Sequence, residues 1–260
     1  MAVGPPIITL TSDFGTADGY VGAMKGVLLA GCRQARLVDI THAIAPQDVR
    51  SAAWTLFTAC RWFPPGTVHL AVVDPGVGSA RRAIVGRTAG QLYVAPDNGL
   101  LSLVLGDRAD VWQVDQEKYA LAPCSRTFHG RDVFAPVAAA LAGGEAPEAC
   151  GTALDDWQRC FEVVNADADA DPIIGEVVHV DRFGNLVTNI VAEPLDSDLE
   201  LRIADHAIDG VSTSYSAVAS GRWLCYEGSS GYLEVAVRDG SAAAAGLGRG
   251  QTVIVKRGRR

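Results

Sequence analysis

A chain of 260 residues is long enough for one large domain or two modest ones. Its 48% hydrophobic and 20% charged residues are ordinary for a globular protein with a real core. The formal net charge of −8, from 22 Lys and Arg against 30 Asp and Glu, argues against a surface built to coat nucleic acid.

No run approaches the roughly 18 uninterrupted apolar residues that a membrane-spanning helix needs. The start, MAVGPPIITLTSDFG, has no basic n-region and reaches Asp13 too early for a signal peptide. Six scattered cysteines (Cys32, Cys60, Cys124, Cys150, Cys160, Cys225) contain no CxxC pair. They predict reduced, mostly buried thiols in a cytoplasmic protein, with neither a disulfide framework nor a zinc site. The basic run Lys256–Arg260 reads as a solvated tail.

In chain order, Ile7–Thr11 is a β-branched apolar strand that stops at Ser12-Asp13-Phe14-Gly15. Residues 19–31 are apolar at helical spacing and end on glycine, and Leu37–Ile40 reads as a second strand. A helix is predicted from Gln47 to Cys60, with Trp54, Leu56 and Phe57 on its apolar side. Val68–Val73 is apolar enough for a strand buried on both faces. Strands follow at Arg82–Gly86, Gln91–Ala95 and Val111–Val114, then a helix at Arg131–Ala142. This alternation predicts an α/β/α domain with a largely parallel sheet. The acidic stretch Asn165–Pro172 suits a linker. Short alternating runs at 173–180, 186–191, 199–203, 223–226, 232–237 and 252–255 then predict a small β-barrel. The expected domains are 1–168, α/β, and 169–260, barrel.

Ligands of open α/β sheets bind at the carboxyl ends of strands, and three polar loops fall there. In Thr11–Gly15, Asp13 either caps the next helix or binds a vicinal diol, since a carboxylate can accept from two adjacent hydroxyls. In the loop from Asp74 to Arg82, Asp74 and Arg81 either brace the turn or take part in chemistry, and the GxxxxGK[ST] spacing of a phosphate loop is absent. In Thr127–Asp132, His129 stands at a helix start beside a glycine and two charges. His42, His69, His179 and His206 form no ligand-like pattern.

Taken together, TSDFG, VVDPGVGS, APDNGLL, TFHGRD and DRFGN resemble, in the same order, the motifs of the S-adenosyl-L-methionine (SAM) hydroxide adenosyltransferases. That family is related to SAM-dependent fluorinases and chlorinases. The resemblance runs from Ile7 to about Val255 and implies the same α/β-plus-barrel fold. It also implies a homotrimer, with sites between the N-domain of one subunit and the C-domain of the next.

Residue by residue, the resemblance implies that Asp13 binds the ribose hydroxyls and that Asp74, Arg81 and His129 form the hydrolytic set. Asp181 would meet the methionine amine, Asn185 the adenine, and Phe183 would stack on the base. Ser229 would hold the methionine carboxylate. Tyr215 would cover the other adenine face, and Asp18 would lie toward the amino-acid end. The implied reaction splits SAM with water into adenosine and L-methionine, with no metal or organic cofactor.

Two alternatives are a chlorinase-like halogenase and a non-catalytic SAM- or adenosine-binding module. Against the halogenase, the insertion that fluorinases carry between the Asp74-type loop and DNGLL is absent. Asp74 also stands where halogenases have tyrosine, and His129 and Gly130 stand where the fluorinase has tyrosine and a halide-binding serine. Ser230 replaces a fluorinase arginine, which leaves carboxylate recognition partly unassigned. An Asp beside Arg is a weak base, which favours His129 for the proton while leaving the assignment open.

Overall fold

The computed structural model describes residues 4–106, 109–193, 195 and 198–257. Of the basic C-terminal run, Gly258, Arg259 and Arg260 lie outside the described residues. The chain divides into two units, at Glu162 and Val163.

The first unit runs β1 (Ile7–Ser12), α1 (Tyr20–Gly31), β2 (Arg36–Thr41), α2 (Val49–Ala59), β3 (Val68–Val72), β4 (Ala83–Thr88), β5 (Gln91–Pro96), β6 (Asp110–Val114), α3 (Gln116–Tyr119), α4 (Ala135–Ala142) and β7 (Gly151–Ala153). Its seven-stranded sheet has the order β2-β1-β3-β5-β4-β6-β7. Every residue of β3 is buried, as its continuous apolar run requires. Because side chains alternate along a strand, Leu70 and Val72 pack with Met24, Leu28 and Val137, on the α1 and α4 side. Ala71 and Val73 pack with Ala52 and Leu56 of α2 on the opposite face. Three layers result, as the alternating elements predict.

The sheet is parallel only from β2 to β5; β4, β6 and β7 add antiparallel ladders. The cause is local. β4 and β5 are joined by Ala89-Gly90, both at positive φ (48° and 76°), a two-residue turn whose twist fits an antiparallel hairpin. No room exists there for the crossover helix that parallel strands need.

The second unit contains β8 (Ile173–Val180), β9 (Leu186–Val191), β10 (Leu199–Ile203), β11 (His206–Asp209), β12 (Trp223–Glu227), β13 (Tyr232–Val237) and β14 (Thr252–Arg257). The order is β11-β10-β14-β8-β9-β13-β12, with antiparallel ladders throughout. The two end strands approach each other: His206 stacks on Trp223 at 3.9 Å between ring centroids, and Ser212 N–H donates to the Cys225 carbonyl at 2.7 Å. The sheet therefore curls into a nearly closed barrel around Leu201, Val235 and Val253. The acidic stretch expected as a linker is held by this barrel. Ala166 N–H donates to the Asn189 carbonyl, Asn189 Nδ2 to the Val164 carbonyl and Arg257 to the Ala168 carbonyl. The division thus falls before the expected boundary at 168/169.

His69, in the middle of β3, is fully buried. Its Nδ1 lies 2.7 Å from Thr9 Oγ1, its ring stacks on Tyr93, and burial pushes its pKa down to about 4. The unfolded chain takes up this proton near pH 6.5 and the folded chain only near 4. Acid between those values therefore favours unfolding, by an amount that reaches about 3 kcal/mol. Urea denaturation at pH 7 and pH 4.5 should show this loss, and His69→Gln should reduce its pH dependence.

Candidate active site

Strands β1 and β3 are parallel neighbours with Ser12 opposite Val72, so Asp13 and Asp74 leave the same end of the sheet side by side. After Asp74 the loop turns on itself, with Val77 N–H donating to the Asp74 carbonyl and Ser79 N–H to the Gly76 carbonyl. The Ser79 hydroxyl then accepts from Arg81 N–H. This compact turn returns the Arg81 guanidinium to Asp74. Its Nε lies 3.0 Å from both carboxylate oxygens, and its Nη2 donates to Oδ2. The same Nη2 donates to His129 Nδ1 at 2.8 Å. The pair is almost closed off, with the Arg81 and Asp74 side chains 8% and 5% exposed. Arg81 Nη1 is buried and has no partner among the described residues.

His129 precedes a π-turn, Gly130–Phe134, that feeds into α4. The helix thus starts later than Arg131, and the wider turn carries the imidazole to Arg81. A Cβ at Gly130 would lie 3.0 Å from Met24 Sδ and 3.3 Å from the Phe14 ring, so this corner admits no side chain without displacement. The Phe14 and Phe128 rings meet edge-on at 5.9 Å, joining the Asp13 and His129 loops.

The geometry fixes the state of the histidine. A guanidinium only donates, so Nδ1 accepts and the ring hydrogen sits on Nε2. Burial, and then the charge of Arg81, hold the His129 pKa below its ordinary value. The neutral ring therefore offers an N–H, and its one lone pair is already engaged. This reverses the preference for His129 as base. Asp74 keeps unused lone-pair directions, since Arg81 occupies only part of its carboxylate.

Asp13 Oδ2 accepts from Gln47 N–H at 2.8 Å, so Asp13 is not a helix cap; Asp18 is exposed farther along the same loop. His42, passed over in the sequence, anchors this loop. Its Nδ1 lies 2.7 Å from the buried Ser12 hydroxyl, its Nε2 3.1 Å from Asp39 Oδ1, and its carbonyl accepts from Gly15 N–H. Arg82, adjacent to Arg81, goes elsewhere and pairs with Asp97 and Asp156. Asn98 Nδ2 donates to the Val73 carbonyl, so APDNGLL braces the end of β3.

In the barrel, the β8–β9 turn carries DRFGN. Asp181 holds it by accepting from Phe183 N–H, Asn185 N–H and Asn185 Nδ2, which leaves about one of four lone-pair directions for a ligand. Phe183 is 76% exposed and Asn185 is buried. Asn185 Nδ2 also donates to the Tyr215 hydroxyl at 2.9 Å, bringing together two residues thirty positions apart. Ser229 is exposed, and Ser230, set aside in the sequence, buries a hydroxyl with no partner among the described residues. No group of three or more His, Cys, Asp or Glu side chains is placed to hold a metal ion among the described residues. No described helix is long and apolar enough to cross a membrane.

Comparison with known proteins agrees with these motifs. Residues 8–151 match the model of the SAM hydroxide adenosyltransferase N-terminal domain, and residues 175–254 that of its C-terminal domain. An (R)-S-adenosyl-L-methionine hydrolase of Thermus thermophilus is 40% identical, covering 93% of this chain and 96% of its own length. A protein of the same name from Salinispora tropica is also 40% identical, covering 92% of each chain. A fluorinase of an Actinoplanes species is 31% identical, over 82% of this chain and 81% of its own. The crystal structure of an uncharacterized conserved protein from Thermotoga maritima superposes with a TM-score of 0.87 at 36% identity, covering 96% of this chain and all of that one. The chain belongs to the SAM hydroxide adenosyltransferase family.

Proposed function

We propose that this protein is an enzyme that hydrolyses SAM to adenosine and L-methionine. The observation that carries the reading is the buried Asp74–Arg81–His129 array, in which one guanidinium orders a carboxylate and a neutral imidazole. Two relatives bearing a SAM-hydrolase name at 40% identity support the same substrate.

The sulfonium of SAM leaves as a neutral thioether, so its departure needs no acid, metal or organic cofactor. The protein must supply an oxygen in line with the C5′–S bond, at about 3–3.5 Å. His129 Nε2–H donates to the water and Asp74 accepts its proton. As the O–C5′ bond forms, the C5′–S bond breaks and its electron pair goes to sulfur. Arg81 holds the Asp74 carboxylate in place until it takes the proton, which then passes to solvent to restore the charged pair. Asp13 binds the ribose hydroxyls, while Phe183, Asn185 and Tyr215 take the base. Asp181, Ser229 and, less directly, Asp18 serve the amino-acid end. These contacts use binding energy to align the substrate.

A homotrimer, which rests on the family resemblance, and a cytoplasmic location, which rests on the six scattered cysteines, belong to the same proposal. A halogenase is disfavoured, because its halide has no proton for Asp74 to accept. The test is incubation with SAM in H₂¹⁸O, followed by chromatography and mass spectrometry. Label on the adenosine 5′-oxygen is expected. Unlabelled adenosine, or a 5′-chloro product when chloride is added, would overturn the reading.

A further inference from the structure

Three residues that the hydrolytic set does not use, Ser12, His42 and Asp39, meet beside the loop that carries Asp13. His42 Nδ1 lies 2.7 Å from the Ser12 hydroxyl, and its Nε2 lies 3.1 Å from Asp39 Oδ1. Asp39 is in turn paired with Lys25 of α1 at 2.6 Å. These residue types form nucleophilic triads in hydrolases, but this set cannot act as one. Ser12 is fully buried, so its oxygen has no approach to a substrate, and the two ring nitrogens serve the opposite partners.

What the set does is fix the backbone on both sides of Asp13. The Asp39 carboxylate only accepts, so it keeps a hydrogen on Nε2 and leaves Nδ1 of the neutral ring as an acceptor. The Ser12 hydroxyl therefore donates to Nδ1, and its oxygen accepts from Phe14 N–H at 3.3 Å. The His42 carbonyl accepts from Gly15 N–H at 2.8 Å. One residue thus holds Ser12 and, through it, Phe14 by its ring, and Gly15 by its backbone. Gln47, five residues on, donates its N–H to Asp13 Oδ2 at 2.8 Å from a backbone at φ +68°, which costs a side chain about 1 kcal/mol or more. Among the described residues Asp13 accepts only this bond, so most of its lone pairs remain for a vicinal diol.

We propose that His42 is a positioning residue that aims the Asp13 carboxylate and thereby sets the preference of the site for a ribose over a 2′-deoxyribose. The inference rests on the proposed reading that Asp13 binds the ribose hydroxyls. A hydrogen bond from a hydroxyl to a carboxylate is strong only at short distance and near-linear geometry. A carboxylate whose neighbours are all held keeps both hydroxyls in reach. On a loosened loop it satisfies itself with water and gains little from the 2′-hydroxyl. The effect falls on binding and its selectivity, because no atom of the set touches the reacting centre.

Calorimetric titration of the full-length protein with adenosine and with 2′-deoxyadenosine is the measurement. Wild type should prefer adenosine by about tenfold or more, and Asp13→Ala should abolish that preference. His42→Phe keeps a ring but neither nitrogen, and Ser12→Ala removes the hydroxyl that Nδ1 holds. Each should cut the preference about fivefold. His42→Asn offers an amide oxygen near the position of Nδ1 and should restore most of it; an Asn variant no better than Phe would overturn the role of Nδ1. In the Asp13→Ala background, neither His42→Phe nor Ser12→Ala should change the ratio further. A merely structural role would weaken both nucleosides alike, with or without Asp13. Melting temperatures show which variants are folded, and Ser12→Ala, the smallest change, keeps the test open if His42→Phe is not. If Asp13→Ala abolishes the preference while folded Ser12→Ala and His42→Phe keep it, this proposal fails alone. If Asp13→Ala leaves the preference intact, the ribose reading fails and the proposal falls with it.

Discussion

Replacing Arg81 by methionine is expected to lower SAM turnover about a thousandfold or more, with substrate affinity changing by less than about tenfold. Arg81 links Asp74 to His129, its guanidinium contacting both at hydrogen-bonding distance. Without it the Asp74 carboxylate, 5% exposed, keeps its burial and loses its counter-charge. The buried charge is then left unpaired, and nothing holds the carboxylate toward the attacking water. His129 loses the donor that fixes its tautomer, and its pKa rises because a neighbouring positive charge has gone.

Arg81→Lys should not rescue turnover, since a single ammonium cannot bond both groups in this fork geometry. Asp74→Asn and His129→Ala should fall in the same range as Arg81→Met. Three near-equal losses, with SAM binding retained by calorimetry, are the signature of a set acting as one unit. Full activity in any of them would sink the assignment. In the wild type, the acid limb of the kcat profile should lie below pH 6.5. Arg81 and burial both disfavour the charged imidazole, and protonation would remove the lone pair that accepts from Arg81.

Gly78→Ala should reduce kcat about a hundredfold without touching any reacting group, because it displaces the loop that brings Arg81 back to Asp74. Gly78 has φ +77°, a region that costs a side chain about 1 kcal/mol or more. Its Cβ would also sit 2.5 Å from the Arg126 carbonyl oxygen, a backbone atom that cannot rotate aside. The loop must move, and the distances from Arg81 to Asp74 move with it. Gly76→Ala is the internal control. Its Cβ would meet nothing closer than 3.4 Å, so near-normal turnover is expected there. Steady-state kinetics on the pair, with melting temperatures to confirm folding, gives the comparison. Equal activity in both variants would mean the loop has no positioning role.

The sequence by itself determined the layer order and the places of most strands, though not the short strands β7 and β11 or the full extent of β4. Apolar runs such as Val68–Val73 and the alternating runs after residue 173 carry their periodicity in the residues themselves. It also marked the loops that hold Asp13, Asp74 and His129, since polar residues directly after a buried strand are visible in one dimension. Only the tertiary structure decided which neighbour serves which purpose. Arg81 and Arg82 are adjacent and chemically identical, yet one turns to Asp74 and the other to Asp97. The Ser12–His42 anchor and the Asn185–Tyr215–Tyr226–Glu234 chain join residues far apart in sequence, and no local pattern announces them. The base preference changed for the same reason. A histidine's pKa in isolation favours it as base, but hydrogen-bond polarity depends on what stands opposite each nitrogen, and that partner, Arg81, lies 48 residues away. Short-range periodicity follows from covalent geometry, whereas donor–acceptor pairing follows from packing, and packing exists only once the chain is folded.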